Sequence, residues 1–366
     1  MKAKKRVGLY LNAATILQQP GYLELLREEL GLNLVILNFS GKLPGSVLAK
    51  SPFDQLPPSD EAIRSLLCRH IDGQPSTSKL GAAKGSLGPH IHAGGDDEAL
   101  RQAIERAHAV GLEVWLLSGA WTANDFDVLM YCPSREAVYT HLATAYGVEG
   151  VDITHARFPM TSYPRGMFLC ACDRCAREAA ERGYDMERMK ADILDAQERI
   201  QRTDAERLAQ VCTHAMGPFD ALQLLGLRQG IVQWFAFRCE LLADKFGAFR
   251  DAVHEAAGED FIFGTDTYPA SLSPFVGHDH TRWDTFSDFA SPLLSHVDIF
   301  PMQTMTAWAQ FLCALCSDLG ESRALQMIYR LVGYGDLGLP LSLEDFALGA
   351  PDCEFRNVPL RDLVAL

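Results

Sequence analysis

The chain predicts an α/β fold, a single (β/α)8 barrel of the TIM type that is irregular or incomplete toward its C-terminal end. Two observations carry that expectation. Short apolar runs alternate with longer helical patterns, and each passage from strand through helix to strand implies parallel pairing. No internal repeat and no stretch of linker composition divides the 366 residues, so one domain over 1–366 is the economical reading.

Residues 6–12 (RVGLYLN) read as the first strand, 21–30 as a helix and LVILN at 34–38 as a fully buried second strand. The opening MKAKKRVGLYLNAATIL has the basic-then-apolar order of a secretion signal. Its apolar part is short, is interrupted by Asn12 and lacks a cleavage site, which favours a strand. A Pro-, Gly- and Ser-rich insertion at about 39–95 then separates the second strand from its helix, with one helical pattern at 60–70. The alternation resumes with a helix at 97–110 that Asp96 or Asp97 can cap, and a strand at 113–117. A helix at 133–146 opens on Pro133, and GVDIT follows as the strand at 150–154. A charged helical stretch from 174 to about 207, within a helical insertion at about 174–230, precedes a second long helix at 230–257. Strands are expected at 261–265 and 297–302, and two compressed strand–helix units after that, one near 327–332.

A net charge of −14 excludes a nucleic-acid or anionic-membrane surface, because polyphosphate binders need a basic face. No segment is long and apolar enough to span a bilayer. Ten cysteines, many in helical patterns, fit a reducing cytoplasm better than a disulfide scaffold. Composition leaves the oligomeric state open, a homo-oligomer included.

Cys170, Cys172 and Cys175 stand together in LCACDRC, and Cys132 opens the helix before the preceding strand. One distant and three clustered thiolates are how a chain closes a tetrahedral structural zinc site. Cys68, Cys212, Cys239 and Cys353 read as small buried hydrophobes, and Cys313 and Cys316 as packing residues of an amphipathic helix.

In such barrels the active site lies at the carboxyl ends of the strands. That rule selects Asn12, Asn38, Trp121, Thr154, His155, Arg157, Asp266 and Gln303, with Asp279 between His278 and His280 in the loop beyond the fifth strand. Asp152 and Thr154 share one face of their strand, so an inward Asp152 must be paired or raised in pKa. Asp266 is expected in the solvent-facing loop that follows its strand. Trp121 and Trp283 offer indole faces that suit sugar rings. His90 with His92, and His278 with His280, have the look of metal pairs.

YCPSREAVYTHLATAYGVEGVDITHARFP followed by LCACDRC resembles the fourth-strand region of uncharacterised glycosyl-hydrolase-like (β/α)8 families. VGHDHTRWDTFSDFASPLLSHVDIFPMQT and GDDEALRQAIERAHAVGLEVWLL resemble two further stretches of them, and together the three cover about 89–303. The cysteine spacing is similar to the structural zinc site of the zinc-containing β-galactosidases. Relatives carry an aspartate and an aromatic where this chain has Thr154 and His155, and the Gln of their Gly-Gln-Asp is His278. No glutamate ends the fourth strand, so the two-glutamate pattern of the β-galactosidases does not transfer.

The resemblance implies a glycoside hydrolase acting on a carbohydrate, for which two carboxyl groups must flank the scissile bond. Asp266 is the expected acid/base and Asp152 the nucleophile or base, held ionised by Arg157. His155, Asp279, Gln303, Asn38, Trp121 and Trp283 would bind the sugar. The alternatives are a metal-dependent lyase, isomerase or hydrolase using the histidines, and a non-catalytic carbohydrate-binding barrel.

Overall fold

The computed structural model describes residues 5–48, 69–74, 96–119, 133–154, 156–158, 167–213, 228–270, 272–292 and 300–346. Its centre is a parallel sheet in sequential order: β1 (Gly8–Leu11), β2 (Leu34–Asn38), β3 (Glu113–Gly119), β4 (Gly150–Thr154), β5 (Ile262–Thr267) and the two-residue β6 (Ser291–Pro292). Each of the first five strands lies within a residue or two of its expected place. Helices α1 (Ala13–Gln18) and α2 (Tyr22–Leu30) follow β1, and the short α3 (Gly45–Leu48) follows β2. Then come α4 (Asp97–Ala109), α5 (Pro133–Ala145), α6 (Asp173–Glu181), α7 (Met186–Arg202), α8 (Ala205–Thr213), α9 (Gln229–Ala257), α10 (Phe300–Leu315) and α11 (Glu321–Leu331).

The local rules behind these elements are visible. Helix α4 buries Leu100, Ala103, Ile104 and Ala107, one stripe at helical spacing, and Asp96 caps it by accepting from the Ala99 amide at 3.0 Å. Asp97, the other expected cap, instead takes the Tyr146 hydroxyl at 2.7 Å and Arg101 at 3.0 Å. The charged stretch expected as one helix is three. It breaks at Gly183, whose φ of +79° suits only glycine, and again before Asp204, which caps α8 through the Arg207 amide at 2.7 Å.

Two expected strands are corrected. Residues 300–302 begin α10, and 327–331 belong to α11; short apolar runs read the same whether they are buried strand or buried helix. The sixth strand is Ser291–Pro292 instead, too short to leave a pattern. Eight strands do not emerge among the described residues; of the helix expected at 60–70, residues 60–68 lie outside them and 69–70 are not helical.

Both faces of the sheet are covered, which is why β2 is apolar over residues 34–37 and turns polar only at its exposed end, Asn38. Val35, Leu37, Val114, Leu116, Val151, Ile153 and Phe263 join the helices in one large core. Leu34, Ile36 and Trp115 form a second, small core on the other face, with Leu117, Ile262 and Phe289 against it. At its lower edge Glu113 receives Arg6 at 2.8 Å and the Trp115 indole at 2.9 Å. Trp115 fits because its strand partner is Gly150, where a Cβ would stand 2.7 Å from the indole.

The inner face is also curved. Tyr10 of β1 donates to Asp152 of β4 at 2.8 Å. In a flat sheet β1 and β4 would lie about 14 Å apart, beyond any such contact. The sheet therefore curls around Tyr10.

Candidate functional site

Two groups of side chains stand out: a buried carboxyl pair on the inner face of the sheet, and a cluster of three cysteines. Register places the pair. Asp152 pairs with Gly264, and Asp266 is two residues beyond Gly264, so both carboxyl groups lie on one face of adjacent strands. Asp266 is not in a loop, as the sequence suggests, but within β5 and only 2 % exposed. The strand runs past Thr265 because Asp266 and Thr267 pair with β6.

The two acids have different surroundings. Asp152 is fully buried; Oδ2 accepts the Tyr10 hydroxyl, and Oδ1 has no hydrogen-bond partner among the described residues. Burial, reinforced by the charge of Asp266 and opposed by the Tyr10 hydrogen bond, pushes its pKa up to about 7. Asp266 takes the Thr154 hydroxyl on Oδ2 at 3.2 Å, with the Thr265 hydroxyl 3.2 Å from Oδ1. Arg157, expected to pair with Asp152, lies 5.0 Å over the Tyr268 ring and interacts with Asp266 instead. Burial lowers the pKa of that guanidinium, and Tyr268 and Asp266 oppose the shift.

Tyr10 is the residue that sequence reasoning missed. An aromatic in an apolar strand reads as core, yet alternation puts it on the face of its register partner Ile36, the face of the small core. At 44 % exposed it is the accessible edge of the buried pair. Nearby, Asn38 donates to Asn12 at 2.7 Å where β1 and β2 end, and both are exposed.

The other expected residues sit elsewhere. His278 is buried, its Nε2 at 2.9 Å from the Ala156 carbonyl while Nδ1 accepts the Tyr268 amide at 3.3 Å. Both ring nitrogens are used, which leaves no lone pair for a metal, and burial holds its pKa down near 4. His280 contacts the Ser273 hydroxyl at 2.7 Å and stacks on Trp283, whose indole donates to the Phe289 carbonyl at 2.7 Å. Asp279 caps the turn at 280–285 through the Thr281 amide. Gln303, expected at the end of a strand, falls in the first turn of α10. Trp121, His155, Cys132, His90 and His92 lie outside the described residues.

The sulfur atoms of Cys170, Cys172 and Cys175 lie within 4.8 Å of one another, all buried. Cys172 caps α6 and accepts from the Cys175 amide at 3.5 Å. Arg69 clasps the loop: its amide donates to Cys170 at 3.4 Å and its carbonyl accepts from the Ala171 amide at 2.7 Å. The neighbouring thiols and burial push Cys175 well above the ordinary thiol range. Buried Arg238 lies 4.0 Å over the Phe158 ring, donates to the Met167 carbonyl and interacts with Cys175 and Cys170. Three crowded sulfurs with amide donors and a nearby cation are a donor set that a thiophilic metal ion fits. Cys170, Cys172, Cys175, Cys239, Cys313 and Cys316 are free thiols, and no described helix is long and apolar enough to cross a membrane.

Fold and site together define a parallel α/β protein with a buried carboxyl pair on one sheet face and a cysteine cluster suited to a metal. Among known proteins, no family model and no curated sequence matches the chain.

Proposed function

We propose that the chain is a glycoside-hydrolase-like enzyme on a (β/α)8 barrel, cleaving a carbohydrate between Asp152 and Asp266 and holding a structural zinc ion in its cysteine loop. The observation that carries this reading is the pair of carboxyl groups on one face of adjacent strands, one of them raised to about 7. Glycosidic hydrolysis needs one protonated carboxyl group to release the leaving group and one ionised group to attack or to activate water. Their surroundings favour the reverse of the roles expected from sequence. Asp152, kept protonated near neutrality by burial and by its acidic neighbour, serves as the acid. Asp266, beside the Thr154 hydroxyl and Arg157, serves as the nucleophile or base. Asn12 and Asn38 offer amide groups for sugar hydroxyls at the strand ends.

The barrel reading is supported by the strictly sequential parallel order and by the curl that brings Tyr10 to Asp152. For zinc, the three crowded thiols are three of the four ligands a closed structural site takes, with Cys132 as the fourth sulfur. When bound, the ion would tie the loop after β4 into one piece. Unbridged thiols and the acidic charge fit a cytoplasmic setting and a carbohydrate ligand.

The test is turnover of a panel of chromogenic aryl glycosides and oligosaccharides by the purified protein. Asp266→Asn is expected to fold, keep its metal and lose turnover; wild-type-like turnover in that variant would eliminate the role. A second reading, a non-catalytic saccharide-binding barrel, is favoured by the near-complete burial of both acids and by Thr154 standing where relatives carry an acid. It requires saccharide binding by the wild-type chain with no turnover on any probe.

A further inference from the structure

Asp152 meets two titratable groups, Asp266 from β5 and Tyr10 from β1, and they act in opposite senses. The charge of Asp266 favours a neutral Asp152, whereas a hydroxyl donated at 2.8 Å favours the carboxylate. Ser291 of β6 also acts on the phenol, in the sense of a hydroxyl turned toward its oxygen. We propose that Tyr10 is a positioning residue that sets the charge state of Asp152, with Ser291 orienting the phenol; the catalytic consequence rests on the Asp152–Asp266 reading above.

Three observations support this. Tyr10 makes the one hydrogen bond that the described residues give the Asp152 carboxyl, so its removal leaves both oxygens buried without a partner. Burial and the two acids hold the phenol well above its ordinary pKa, so it stays a neutral donor over the whole range in which Asp152 titrates. Asp152 is fully buried and Tyr10 is 44 % exposed, so the phenol is the member of the pair that reaches the surface.

The experiment is an isotope-edited infrared titration of the Asp152 carboxyl group in the full-length protein, its band assigned by loss in Asp152→Asn. Tyr10→Phe is expected to raise the midpoint by about one pH unit, a roughly tenfold fall in the acid dissociation constant, because it removes a hydrogen bond to the ionised form. Ser291→Ala is expected to move it in the same direction by less. An unchanged midpoint in both variants overturns the proposal. If Tyr10→Phe fails to fold, an unchanged midpoint in Ser291→Ala does so alone. Where an aryl glycoside is turned over, the alkaline limb of its pH profile should move up with the midpoint. Absence of turnover by the wild-type protein on every probe overturns the glycosidase reading and leaves the titration result standing.

Discussion

Asp152 shows how one side chain can be legible in direction and illegible in character. Alternation along GVDIT places it inward with Thr154, as expected; its proton depends on Tyr10 and Asp266, which are 142 and 114 positions away. Its pKa is raised from 3.8 to about 7, so the folded state binds the proton more tightly than the unfolded chain does. The stability this group contributes is therefore full below about pH 4 and is lost as pH rises through 7, on the order of 4 kcal/mol at most. Asp152→Asn, neutral at every pH, is expected to resist denaturant better than wild type at pH 8, with the advantage vanishing near pH 4. Urea melts across that range check it, and a gap that does not vary with pH sinks the idea. Gly150 is a second residue whose reason lies across the sheet. Gly150→Ala pushes a methyl group into the Trp115 indole and should cost about 1–3 kcal/mol, read from the same melts.

Among the elements, the cysteine loop was the most legible, because three sulfurs within six positions must end up close whatever the fold. Arg69 and Arg238 were not legible, since nothing local marks a partner a hundred or seventy positions away. Elemental analysis of the purified protein is expected to find about one zinc ion per chain, falling to near zero in Cys175→Ser; no change in that variant would mean that the cluster does not hold the metal. Helix α6 is also tied down by charge: Arg182 reaches Glu178 at 2.6 Å and Asp244 at 2.8 Å, and Arg282 reaches Asp244 at 2.7 Å. These groups are partly exposed, so Asp244→Ala should cost only about 1 kcal/mol, and less in high salt. The apolar start of α10 fits a buried strand as well as a buried helix, and only the longer run to Leu315 separates the two.

At the scale of the molecule, the deciding feature is curvature. Tyr10 and Asp152 belong to β1 and β4, three strands apart, and only a curled sheet lets them meet. A double-mutant cycle of Tyr10→Phe with Asp152→Asn, measured by denaturant unfolding, should therefore give a coupling of about 0.5–3 kcal/mol; simple additivity within about 0.5 kcal/mol would mean that the two strands are apart.

By itself the sequence determined which residues are strand and which helix over most of the sheet, that the strands run parallel, and that three cysteines gather. These follow from periodicity, caps and spacing, all of which act over a few positions. Tertiary structure decided that Asp152 is raised toward neutrality, that Arg157 lies by Asp266, that His278 pins backbone, and that Tyr10 donates to Asp152. Each of those depends on burial and on a charge or hydroxyl brought from another strand, and such fields act through space, not along the chain.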